Sequence, residues 1–169
     1  MKSVHTKMKK HTLAVIVENR PGVLSRVSGL FSRRGYNIHS LAVGTTEEPN
    51  VSRMTIVVEG DDVVLEQIIK QLYKLIDVVK VLELSSIPAV DRELVLVKVA
   101  ANERTRPEIT KIVDIFRARI VDLGEDAVII EATGDSEKID ALENMLTKYG
   151  IKEMVRTGKI ALSRSEEIK

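Results

Sequence analysis

The sequence has no cysteine and no tryptophan, and only two phenylalanines and three tyrosines in 169 residues. Without cysteine there is no disulfide framework, no thiol nucleophile and no cysteine metal cluster. Scarce aromatics remove the platforms on which RNA-recognition modules stack bases. Phe31 and Phe116 fall on expected helix faces, and Ser52 to Glu59, an expected strand, holds no aromatic. A formal net charge of +1 gives no footprint for nucleic acid or an acidic membrane. No apolar run approaches the ~18 residues of a membrane span. The basic start, Met1 to Lys10, lacks the apolar core of a secretory signal and reads as a disordered tail. His5, His11 and His39 show no metal-ligand spacing. No carboxylate pair sits in apolar surroundings that would tune it for acid–base work. Ser25, Ser28 and Ser32 lie along one expected helix, without a nucleophile elbow or a Walker loop. The residues therefore show no catalytic constellation and no metal-ligand pattern, and the lack of cysteine fits a cytoplasmic protein.

What is present is a repeated pattern. Thr12 to Val17 is a β-branched apolar run, broken at Asn19 to Gly22. Val23, Leu24, Val27, Leu30 and Phe31 then recur at helical spacing, with Gly35 as the expected C-terminal cap. Tyr36 to Val43 and Val51 to Glu59 read as strands around the polar loop Thr45 to Asn50. Asp61 or Asp62 caps a second helix on Leu65, Ile68, Ile69 and Leu72, and Val78 to Leu84 is a fourth strand. After Pro88 the order runs again. Strands are expected at Glu93 to Ala100, Arg119 to Leu123 and Ala127 to Thr133. A helix starts from an expected capping box at Thr105 to Glu108, and another follows Gly134-Asp135. A last extended segment, Ile151 to Leu162, is interrupted at Gly158. The fold class is α+β: two tandem ferredoxin-like βαββαβ sandwiches. The expected division is a tail at 1–10, a first domain at 11–86, a linker at 87–92 and a second domain at 93–169.

The first strand is apolar on both sides, Leu13, Val15 and Val17 against Ala14 and Ile16, and Val95, Val97 and Val99 against Leu94 and Leu96 repeat this. Strands of that kind are normally covered on both faces. Neither unit has a spare helix, so a second subunit is expected as the other cover, and with it a dimer.

The turn Asn19-Arg20-Pro21-Gly22 is where the residues allow chemistry. A strand that enters a helix through Pro-Gly leaves backbone N–H groups pointing out of the helix start, where a small anion can sit. Asn19 and Asn37 offer donors and acceptors for a zwitterion. On residues alone an ordinary capped turn is the better reading, with Asn37 simply opening a strand.

Residues 19–61, NRPGVLSRVSGLFSRRGYNIHSLAVGTTEEPNVSRMTIVVEGD, closely resemble the ACT domain of the small regulatory subunit of acetolactate synthase. The likeness continues through LEQIIKQLYKLIDVVKVLEL and RELVLVKV to GKIALSR, so it spans His11 to Arg164. The resemblance implies a subunit without catalytic residues that binds and activates the catalytic (large) subunit. It also implies feedback inhibition by valine or another branched-chain amino acid. Thiamine diphosphate, magnesium and FAD would belong to the catalytic subunit. Asn19, Gly22 and Asn37 fall on positions that hold the effector in that family, with Val23, Leu24 and Ile38 beside them. The effector would lie between two ACT domains, and the C-terminal domain would also dimerise. Thr45, Thr46, Glu47, Glu48, Pro49 and Asn50, with Ser52, Arg53 and Met54, are expected to touch the catalytic subunit; a solvated hairpin connection is the other reading of that loop. The alternative is a free-standing amino-acid-sensing ACT protein acting on a different enzyme or regulator.

Overall fold

The computed structural model describes residues 8–165, so positions 1–7 of the expected tail lie outside the described residues. Lys9 and Lys10 are not tail: they open the first strand, paired with Gly60 and Glu59. The chain forms two compact units, one of residues up to Val90 together with those from Ala161, the other Asp91–Ile160.

In the first unit the order is β1 (Lys9–Glu18), α1 (Val23–Arg33), β2 (Ile38–Thr45), β3 (Val51–Gly60), α2 (Asp62–Leu72) and β4 (Val78–Glu83). The strands form an antiparallel sheet in the order β2-β3-β1-β4, so β2 and β4 are its edges. Alternation decides which side chains go inward. Leu13, Val15 and Val17 meet Met54, Ile56 and Val58 on one face, and Val27, Leu30, Phe31, Ile68 and Leu72 of the helices close over them. Asp61 caps α2, its carboxylate accepting from Val64 N–H at 2.8 Å. Gly35, at φ +69°, ends the turn after α1, its N–H on Ser32 O and the Tyr36 N–H on Phe31 O.

The second unit repeats the order with β5 (Ala89–Ala100), α3 (Arg106–Ile115), β6 (Arg119–Leu123), β7 (Ala127–Gly134), α4 (Ser136–Thr147) and β8 (Ile151–Arg156). Its sheet order is β6-β7-β5-β8. Val95, Val97, Val99, Val128 and Ile130 pack under Ile109, Ile112, Ile139, Leu142 and Leu146. The last segment divides into β8 and β9 (Ile160–Ser163), with Gly158 at φ +84° between them, and β9 pairs with β5.

Three expectations change. Strand β5 begins at Ala89, so four of the six residues of the expected 87–92 linker are strand. The start of α3 is not held by a capping box. Thr105 makes no side-chain cap bond, and Asn102 takes the role instead, its side-chain oxygen accepting from the N–H groups of Arg104 and Thr105 at 2.9 and 3.0 Å. Glu108, the expected second half of the box, accepts from Tyr149 OH at 2.7 Å. The third change concerns the second face of the first sheet. Ala14 and Leu84 are buried there with Ala161, and Leu82 and Ala89 pack against them. Part of the cover is therefore the chain's own C-terminal segment, which a count of helices overlooks. Arg53 Nη2 donates to Ala161 O at 2.8 Å and Arg164 N–H to Pro88 O at 2.8 Å, fixing that segment.

Candidate effector turn

The first unit turns from strand to helix over Asn19 to Gly22. Gly22 has φ +85°, a left-handed conformation that a Cβ would disfavour, and it carries no side chain to cap the helix. The Val23 N–H reaches back to Arg20 O over 3.4 Å, and Arg26 N–H bonds Gly22 O at 3.0 Å. Among the described residues, no hydrogen bond engages the N–H groups of Gly22 or Leu24. Their donors point from the positive end of the α1 dipole, where a carboxylate gains ~0.3–1 kcal/mol when exposed. Val23 itself is in the core, so it offers backbone only, whereas Leu24 is 45% exposed despite its apolar side chain.

Two polar ties hold this turn. On one side, Arg26 Nε donates to Asp77 Oδ2 at 2.6 Å, and Asp77 O accepts from Glu18 N–H at 2.9 Å. The hydrogen bond to Asp77 raises the pKa of Arg26, against the opposing effect of desolvation. Arg26 lies back over the turn: a Cβ built on Gly22 would stand 3.0 Å from Arg26 Nη1. On the other side, Asn19 N–H donates to Asn50 O at 2.8 Å, and Asn19 Nδ2 to Pro49 O at 3.3 Å. Sequence reasoning missed Arg26 and Asp77. Their partners lie 51 positions apart, and no local pattern marks an ion pair of that kind.

Asn37 is exposed and Ile38 half-buried against the core, both just beyond the C-terminal end of α1. Gly22 flanks the other end. An 11-residue helix is ~16 Å long, so one chain does not bring Asn37 to Gly22. The expected contact segment divides too. Thr45, Glu47, Glu48, Pro49 and Asn50 are exposed and Thr46 half-buried, its hydroxyl bonded to Glu48 O and Val51 O. Ser52 is buried and Met54 is in the core, 1% exposed, because alternation turns both inward along β3. Neither has surface to offer a partner. Arg53 faces the opposite side, where burial lowers its pKa against the pull of Glu47, and its Nε is buried without a partner. Among the described residues there is no cluster of three or more metal-ligating side chains, and no helix long and apolar enough to cross a membrane.

Two successive βαββαβ units, the first entering its helix through a left-handed glycine, have the architecture of a tandem ferredoxin-like protein of the ACT type. The family model for the AHAS small subunit-like ACT domain matches residues 13–80, and that for the small subunit of acetolactate synthase matches residues 92–165. The probable acetolactate synthase small subunit of Archaeoglobus fulgidus is 58% identical over 158 residues, 94% of this chain and 99% of that protein. The acetolactate synthase small subunit of Mycolicibacterium smegmatis is 54% identical over 154 residues, 91% of each chain. The crystal structure of the acetolactate synthase small subunit from Thermotoga maritima superposes with a TM-score of 0.86 at 43% identity, covering 94% of this chain and 99% of that one. The chain belongs to the acetolactate synthase small-subunit family, the regulatory subunits of a branched-chain amino-acid biosynthetic enzyme.

Proposed function

We propose that this chain binds the catalytic subunit of acetolactate synthase, raises its activity, and makes it subject to feedback inhibition by valine or a related branched-chain amino acid. Thiamine diphosphate, magnesium and FAD belong to that catalytic subunit. The observation that carries the reading is the layout of α1. Its open N–H groups at Gly22 and Leu24 lie at one end of a helix ~16 Å long and Asn37 lies beyond the other, so both halves meet one ligand only when Asn37 comes from a second copy. The effector carboxylate meets the helix start, its ammonium meets acceptors around the neighbouring Asn37, and its aliphatic side chain lies against exposed Leu24 in the seam. The homodimer forms through both the ACT and the C-terminal domains. Effector binding selects one arrangement of the dimer, a coupling for which ~1–3 kcal/mol suffices.

Reconstitution with an acetolactate synthase catalytic subunit, with and without L-valine, tests the reading. The expected result is higher acetolactate formation on adding the chain, then inhibition on adding valine. Absence of any activation would overturn it and favour a sensor acting elsewhere. Asn37→Ala is expected to weaken valine binding by about five- to tenfold in calorimetry, the loss of one or two hydrogen bonds.

A further inference from the structure

Asn19 belongs to two structures at once. It precedes the Pro21-Gly22 turn, and it also holds the Thr46–Asn50 loop through Asn50 O at 2.8 Å and Pro49 O at 3.3 Å. Within itself that loop is ordered by Thr46, whose N–H bonds Val51 O and whose hydroxyl accepts from Glu48 N–H, and by Val51 N–H on Glu48 O. Glu47, Glu48, Pro49 and Asn50 are otherwise exposed. The backbone tie from Asn19 continues the β1–β3 ladder one step past Glu18 and Val51, so it persists whatever the side chain does. The side-chain tie is the adjustable one.

A primary amide has two N–H donors and a carbonyl acceptor. Pro49 O takes one donor, which leaves one donor and the carbonyl of Asn19 for a ligand in the turn. An exposed bond of 3.3 Å between a rotatable side chain and a loop gains little, because forming it immobilises the amide. A ligand that already immobilises the amide removes that entropic cost, and the bond to Pro49 O then closes at no further expense of freedom.

We propose that Asn19 is the positioning residue through which occupancy of the effector turn orders the Thr46–Asn50 loop, the loop expected from the sequence to touch the catalytic subunit. This rests on the effector reading given above. By linkage, a partner that orders the loop changes effector affinity by the same factor.

Hydrogen–deuterium exchange on the full chain, with L-valine as the probe and occupancy followed by calorimetry, tests the proposal. The reporters are the Thr46 and Val51 amides. In the unsubstituted protein, saturating valine is expected to slow their exchange by roughly fivefold, the worth of one exposed hydrogen bond. In Asn37→Ala, brought to saturation, the same slowing is expected. Asn19→Ala, saturated with valine, is expected to show none. Asn19→Asp, which keeps the size but sets a carboxylate against Pro49 O, is expected to match Asn19→Ala. Slowing that survives in saturated Asn19→Ala overturns the proposal and leaves Asn19 as a ligand only. If Asn19→Ala binds no valine, the ligand-free comparison decides: loop exchange about twofold faster than in the unsubstituted protein, the small part of the tie present without ligand, supports the tie, and equal exchange overturns it. Absence of valine binding to the unsubstituted protein defeats the effector reading instead, and the ligand-free comparison then decides the tie in the same way.

Discussion

A Cβ at Gly22 would meet two separate costs, the left-handed backbone at φ +85° and the guanidinium of Arg26 at 3.0 Å. Gly22→Ala is therefore expected to lower the free energy of unfolding by about 1–2 kcal/mol, read as a shifted denaturant midpoint at constant slope. The same strain affects any acidic substitution made there to repel a carboxylate. Asn37, exposed and outside the turn, is the cleaner place to test binding. At this scale the sequence was half legible. Pro-Gly before an apolar helical repeat announces a turn that needs glycine. The pairing of Arg26 with Asp77 depends on α1 and the α2–β4 connection lying side by side, and nothing near either residue encodes that.

Among the elements, α2 and α4 start alike, on Asp61 and Asp135, whose carboxylates accept from Val64 and Lys138 N–H at 2.8 and 2.9 Å. Asp135→Ala should cost about 1 kcal/mol, measurable in chemical denaturation. The repeated Gly-Asp ahead of each helix made these caps readable. For α3 the Thr-x-x-Glu spacing was right, yet Asn102 competes successfully because its side chain reaches two N–H groups from an Asx turn. A stronger dependence lies between β5, β8 and α4. Glu93, 7% exposed, is held bidentately by Arg156, which also reaches Asp140, and it accepts from Ser136 as well. Arg156→Ala leaves that buried carboxylate without its cation and is expected to destabilise the fold by roughly 3–5 kcal/mol in denaturant titration. At the end of β4, Glu83 responds to pH. Burial pushes its pKa up, but hydrogen bonds from Ser86 and Ser85 outweigh this and leave it below the usual glutamate value. A depressed carboxyl stabilises the fold above its unfolded pKa of ~4.3, and that contribution is lost as pH falls through the folded value. Melting temperature should therefore fall less steeply below about pH 4 in Glu83→Gln than in the unsubstituted protein.

Across the whole molecule, both faces of the first sheet are apolar, as the alternation of Leu13 to Val17 implied. What covers the second face was not legible. A strand of four residues, β9, carries no period long enough to show that Ala161 is needed beside Ala14 and Leu84. Truncation after Lys159 is expected to leave both sheets formed by circular dichroism while exposing that patch and stranding Arg53. The melting temperature should drop by about 5 °C, at ~2–4 °C per kcal/mol for a chain of this size. Apolar dye binding should rise with it. Because the first unit is assembled from residues on both sides of the second, it is finished last during synthesis. Roughly seventy residues separate Val90 from Ala161, a wait of ~4–14 s at ribosomal rates of ~5–20 residues per second. Throughout that interval the nascent N-terminal sheet has one face unsealed, and its final strand leaves the ribosome only after the second unit has been made.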